Sequence, residues 1–125
     1  MPNKILVVED NLDMRELVHL YLTREGFQVV TASDGREGLY LATAEQPDLI
    51  ITDINMPGLD GLEMVKQLRS QPAFKDLPIL VFTAFGIVER DNAIRAGATR
   101  AADKPMDFES LIDEVHELIA QSKKQ

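Results

Sequence analysis

Glu9 and Asp10 follow the apolar run Ile5-Leu6-Val7-Val8, and Asp53 closes Leu49-Ile50-Ile51-Thr52. Thr83 ends Pro78-Ile79-Leu80-Val81-Phe82, and Lys104 follows the segment Thr99 to Ala102. Three carboxylates, a hydroxyl and an ammonium therefore stand at the carboxyl-terminal ends of candidate strands. In an open parallel sheet, ligands bind outside those ends, so these side chains would converge on one crevice. Crowded carboxylates repel, and burial would drive protons onto them. A divalent cation relieves that conflict. Mg²⁺ takes oxygen ligands, keeps several waters, and is usually held by one or two carboxylates with a phosphoryl oxygen. A carboxylate can also act as nucleophile and form an aspartyl phosphate, with Mg²⁺ and an ammonium neutralising the phosphoryl oxygens in the transition state. Singly, each residue has a plainer reading: Asp10 as a helix cap, Asp53 as a turn, Thr83 as a β-former, Lys104 as a surface lysine. Jointly, the right chemical types at these four strand ends favour one site.

The elements that would position them alternate along the chain. From Met14 to Glu25, the apolar residues Met14, Leu17, Val18 and Tyr21 fall at helical spacing, with Asn11 or Asp13 as cap and Gly26 as stop. Gln28 to Ala32 reads as a strand. Asp34 and Glu37 have capping-box spacing before a helix to about Glu45, which Gln46-Pro47 ends. Asp60 and Glu63 repeat that spacing ahead of a third helix to about Ser70. A fourth helix spans roughly Ile87 to Ala96 and breaks at Gly97. Thr99 to Ala102 is assigned as a fifth strand by its place in the order, its composition being poor for that role. Asp107 caps a last helix, with Phe108, Leu111, Ile112, Val115 and Ile119 as its apolar stripe. Five βα units imply a parallel sheet covered by helices on both faces. The first, third and fourth strands are continuous apolar runs, as strands buried on both faces should be.

Composition narrows the function. The chain has 125 residues, 45% hydrophobic and 27% charged, which fits one domain with a real core. Thirteen basic against 21 acidic side chains give a formal charge of −8. That balance argues against nucleic acid, which needs a basic footprint, and against an anionic membrane surface. Without cysteine there are no disulfides, thiolate metal sites or cysteine nucleophiles. No apolar run approaches a membrane span or a signal-peptide core, and a cytoplasmic location is expected. His19 and His116 lie in candidate helices among apolar neighbours and read as packing or surface residues.

The residues resemble the receiver domains of two-component response regulators over essentially the whole chain. The pieces are Ile5 to Asp10, Asp48-Leu49-Ile50-Ile51-Thr52-Asp53-Ile54-Asn55-Met56-Pro57-Gly58-Leu59-Asp60-Gly61, Pro78 to Ala84, Gly97-Ala98 and Lys104-Pro105. The block around Asp53 is the most specific. The resemblance implies an α/β, flavodoxin-like (βα)5 fold with strand order 2-1-3-4-5. It implies that Asp53 is the phospho-acceptor, that Asp10 is the principal Mg²⁺ carboxylate with Asp53, and that Glu9 is an outer-shell acid. The main-chain carbonyl of Asn55 would complete the metal site, which Mn²⁺ could also fill. Lys104, Thr83 and Ala84 would contact the phosphoryl group, and a cis peptide is a candidate between Lys104 and Pro105. Thr83 matches the switch hydroxyl, and Phe85 lies where the family tunes access of hydrolytic water.

Two positions depart from the family. Ala101 stands where a Tyr or Phe commonly rotates as the switch threonine moves, and Met106 follows Lys104-Pro105 where Phe is usual. The implied partners are a histidine kinase or histidine phosphotransfer protein and a downstream protein target. A homodimer through the face of helix four, strand five and helix five is a further possibility, and Arg90, Arg95 and Arg100 fall on that face. Residues 1–125 are expected to form one receiver domain with no output domain, either stand-alone or cut from a longer regulator. The chain is expected to be a signalling protein that catalyses only its own phosphorylation and dephosphorylation. Three other readings remain. A dehalogenase-type phosphatase would need a general acid at position 55, where Asn55 cannot serve. A flavin or nucleotide binder would need a glycine-rich loop after the first strand. A partner-binding scaffold that is never phosphorylated is kept open by Ala101.

Overall fold

The computed structural model describes residues 3–84, 86–104 and 107–122. The roles expected of Phe85, Pro105 and Met106, and the cis-peptide candidate, lie outside these residues.

Strands β1 (Lys4–Val8), β2 (Gln28–Ala32), β3 (Leu49–Asp53), β4 (Ile79–Thr83) and β5 (Arg100–Asp103) alternate with helices α1 (Leu12–Arg24), α2 (Gly35–Glu45), α3 (Gly61–Arg69), α4 (Ile87–Ala96) and α5 (Phe108–Ser122). All strand pairs are parallel, in the order β2-β1-β3-β4-β5, as the resemblance implied. Alternation along each strand builds two cores. Leu6, Val8, Ile50 and Val81 face Ala42 of α2, Met64 and Leu68 of α3 and Ala93 of α4. Ile5, Val7, Ile51 and Leu80 face Val18 and Leu22 of α1 and Leu111, Val115 and Ile119 of α5. Each fully buried Leu or Ile contributes about 1.5–3 kcal/mol before the opposing entropy is counted.

The helix starts follow the expected chemistry. The Asn11, Asp34 and Asp60 side chains accept from the backbone N–H three residues on, at Met14, Glu37 and Glu63. Asp107 accepts from the Ser110 N–H at 2.8 Å, and these two bonds to Ser110, from N–H and hydroxyl, hold its carboxyl below the usual aspartate range.

Three local features differ from the sequence expectation. Of the apolar residues expected on α1, Val18 is buried, whereas Met14, Leu17 and Tyr21 are 39%, 43% and 37% exposed. Strand β5 runs one residue later than expected, with Arg100 and Asp103 at its ends. Its place at the sheet edge leaves those charges reaching solvent and ion-pair partners. A short 3-10 turn, Pro72–Phe74, has no counterpart in the sequence reading; it turns the buried Phe74 into the core.

Candidate functional site

Backbone bonding across the sheet sets the height of each strand end. The Glu9 N–H donates to Ala32 O at 3.0 Å, Ile54 N–H to Phe82 O at 3.2 Å, and Lys104 N–H to Thr83 O at 2.8 Å. Glu9, Asp53 and Lys104 are thus level with one another at one edge. Carboxylate oxygens of Glu9, Asp10 and Asp53 all lie within 4.8 Å of each other. The Lys104 ammonium donates to Asp53 Oδ2 at 2.7 Å and to Glu9 Oε1 at 3.3 Å.

Burial grades the three acids. Glu9 is buried and Asp10 exposed, while the Asp53 side chain keeps 10% of its surface open. Desolvation pushes the Glu9 carboxyl above the usual glutamate range, against the opposing pull of the Asn11 N–H and Lys104. Burial also opposes the charge on Lys104, but the bond and charge of Asp53, with Glu9, hold its ammonium above the ordinary lysine range. Arg15 reaches back from α1 to donate to Glu9 O at 2.9 Å, fixing the turn that carries the acids.

The other expected residues lie on the loop after β3, at the end of β4 and on β5. Thr83 is fully buried, and its hydroxyl donates to the Glu89 carboxylate at the start of α4. Ala84 is exposed beside it. Asn55 is exposed and donates its side-chain amide to Glu89 Oε1 at 3.4 Å. Ala101 is half-buried and packs against the core under α4. A cavity of about 550 Å³ opens beside Glu9, Asp53 and Lys104, between α1 and α5, with Met14, Leu17 and Phe108 on its walls. It accounts for the exposure of that part of α1.

Two of the three arginines noted in the sequence are held by ion pairs. Arg90 pairs with Asp103, and Arg100 with Glu114 and Glu117; the bond that Arg100 donates to Glu114 leads the effects that raise the Arg100 pKa. The exposed histidines stand apart from the acids, and His116 lies 3.5 Å from Glu25. Sequence reasoning missed Glu89, because Thr83 ends β4 and Glu89 lies in α4, and neither the strand nor the helical period runs from one element into the next. It also missed Gly61, where an added Cβ would lie 2.2 Å from the Asp53 carbonyl oxygen. Its place in the block around Asp53 was the available signal.

The donor set fits a small hard cation: oxygen donors only, two of the carboxylates strand-fixed and Asp10 open to solvent. That matches the Mg²⁺ preference for few protein oxygens and retained water. No helix among the described residues is long and apolar enough to cross a membrane.

Comparison with known proteins gives a consistent family. The family model "Response regulator receiver domain" matches residues 5–116. Response regulator MprA of Mycolicibacterium vanbaalenii is 43% identical over 120 residues, covering 95% of this chain and 51% of that protein. The chain thus spans about half the length of the curated relatives it matches. Among solved structures, a response regulator from Chloroflexus aurantiacus, described as putative, superposes with a TM-score of 0.92 at 34% identity, covering 96% of this chain and 99% of that one. The chemotaxis response regulator CheY4 of Vibrio cholerae superposes with a TM-score of 0.89 at 35% identity, covering 94% and 99%. On these matches the chain belongs to the response regulator receiver domains, the phospho-acceptor switches of two-component signalling.

Proposed function

We propose that Asp53 accepts a phosphoryl group from a phosphohistidine of a sensor kinase or phosphotransfer protein, in a reaction that requires Mg²⁺. The observation that carries this reading is the Asp53 carboxylate, 2.7 Å from the Lys104 ammonium and within 4.8 Å of the Glu9 and Asp10 carboxylates. An Asp53 oxygen attacks phosphorus in line with the donor P–N bond. The O–P bond forms as the P–N bond breaks, and the bonding pair leaves on the imidazole nitrogen. Asp10, Asp53 and the Asn55 carbonyl would hold the metal, with Glu9 behind them; Mn²⁺ could replace Mg²⁺. The bound cation supplies positive charge against the phosphoryl oxygens. Lys104 supplies a second positive charge from the other side, and Thr83 and Ala84 would contact the phosphoryl group from the end of β4.

The output is a change of the α4–β5–α5 face toward a downstream protein or a second copy of the chain. The exposure of Ile87 and Val88, 65% and 68%, supports a contact role for that face. Residues 1–125 act as one receiver unit in the cytoplasm, without nucleic-acid or membrane binding of their own, which the net charge of −8 supports. Catalysis is confined to the unit's own phosphorylation and dephosphorylation. Incubation with acetyl phosphate and Mg²⁺ should add one phosphoryl group by intact mass, and Asp53→Asn should gain none. Equal labelling of the two proteins would remove Asp53 from this role.

A further inference from the structure

Glu89, in the first turn of α4, gathers two loops of the site. Its carboxylate accepts the Thr83 hydroxyl from the end of β4. The same oxygen, Oε1, accepts the Asn55 amide at 3.4 Å from the loop after Asp53. Arg90, the next residue, pairs with Asp103 of β5, which lies in register with Thr83. The start of α4 depends on such ties. Its cap is Gly86, at φ +83°, which makes no side-chain cap bond, and Ala93 is the one fully buried residue of the helix. A helix start held by polar contacts rather than by apolar packing opens at low cost.

A threonine hydroxyl has one proton to donate. Thr83 makes further contacts besides, but that proton cannot serve Glu89 and a phosphoryl oxygen at once. We propose that Glu89 is a positioning residue for Thr83: it holds the hydroxyl in the unphosphorylated protein, and transfer of that hydrogen bond to the phosphoryl group on Asp53 unties the first turn of α4. The proposal rests on the phospho-acceptor reading above. It gives a route from Asp53 to α4 that needs no aromatic ring at position 101, where Ala101 stands. Weakening the Thr83–Glu89 bond favours the phosphoryl-engaged state, by no more than the bond itself is worth. For a hydrogen bond to a charged acceptor, that ceiling is roughly ten- to a hundredfold.

Beryllofluoride with Mg²⁺ is the probe, read by affinity and by the backbone amide shifts of residues 87–90. Glu89→Ala should bind it roughly three- to tenfold tighter than wild type. Without the probe, its α4 amides should already lie part of the way toward their bound wild-type positions. Removing a negative charge near an anion site also tightens binding, so Thr83→Val provides the deciding comparison. In that background, adding Glu89→Ala should change affinity far less than it does in wild type. Glu89→Gln, of unchanged size, makes the same comparison with a smaller effect if Glu89→Ala fails to fold. Equal tightening with and without the Thr83 hydroxyl overturns the proposal, as does unchanged affinity in both Glu89 variants. Wild-type protein that fails to respond to beryllofluoride overturns the phospho-acceptor reading itself, a failure visible before any Glu89 variant is compared.

Discussion

Lys104 is one ammonium shared by two carboxylates, and its neighbours decide what its removal does. Asp53 and Glu9 keep only 10% and 8% of their side-chain surface open, while Lys104 keeps 30%. Breaking a buried pair leaves the remaining charge unpaired and is costly, whereas exposed pairs are worth little. This pair lies between those limits. In chelator, Lys104→Ala is expected to lose about 1–2 kcal/mol of stability, measured by urea unfolding, and Mg²⁺ should restore most of it by replacing the missing positive charge. With Mg²⁺ present the variant should still be labelled by acetyl phosphate, but without the α4 shifts proposed for phosphorylated wild type. A variant as stable as wild type in chelator would show that the two carboxylates do not depend on Lys104. The place of the residue beside Asp53 was legible from its position after a strand. Its double partnership was not, because Glu9 and Lys104, 95 positions apart, meet only when β1 and β5 take their places in the sheet.

At the scale of elements, the runs that make β1, β3 and β4 were plain because both faces of these strands are buried and nearly every position is apolar. The edge strand β5 was not, since Arg100, Ala101, Ala102 and Asp103 carry no strand pattern and are placed by register with Leu80 to Thr83. Caps were legible because they are local: a side chain and an N–H three residues apart. Close approaches between distant elements were not. Gly61 is the clearest example. It opens α3, its N–H donates to Ile54 O at 2.9 Å, and a Cβ there would meet the Asp53 carbonyl oxygen at 2.2 Å and Ile54 Cα at 2.9 Å. Both neighbours are backbone and cannot rotate aside. Gly61→Ala should therefore shift the end of β3 or the start of α3, at a cost of about 1–3 kcal/mol. It should also slow acetyl phosphate labelling, because Asp53 is on the strand that moves. Thermal unfolding together with the labelling rate checks this. A variant with wild-type stability and wild-type rate would mean that the loop absorbs the methyl group without moving Asp53.

Over the whole molecule, most of the ion-paired cations are matched to acids other than the clustered three. Lys4 pairs with Glu45, Arg90 with Asp103, and Arg100 with Glu114 and Glu117. Among the described residues, Lys104 is the cation paired to the site, against three clustered carboxylates in a protein of net charge −8. Two unit charges about 4 Å apart interact by about 1 kcal/mol in water and about 4 kcal/mol at the effective dielectric of a protein surface. Asp10 is exposed, so its repulsion from Glu9 and Asp53 belongs near the lower figure. Asp10→Ala should then be the more stable protein in chelator, by about 1 kcal/mol, or roughly 2–5 °C in melting temperature for a chain of this size. Ligand binding stabilises the folded state through the logarithm of ligand concentration over dissociation constant. Millimolar Mg²⁺ should accordingly raise the melting temperature of wild type and scarcely move that of Asp10→Ala, narrowing or reversing the gap between them. Melts of both proteins with and without Mg²⁺ decide the matter. If Mg²⁺ raised both equally, the cation would be bound elsewhere, and the repulsion among Glu9, Asp10 and Asp53 would not be what draws a metal to this edge of the sheet.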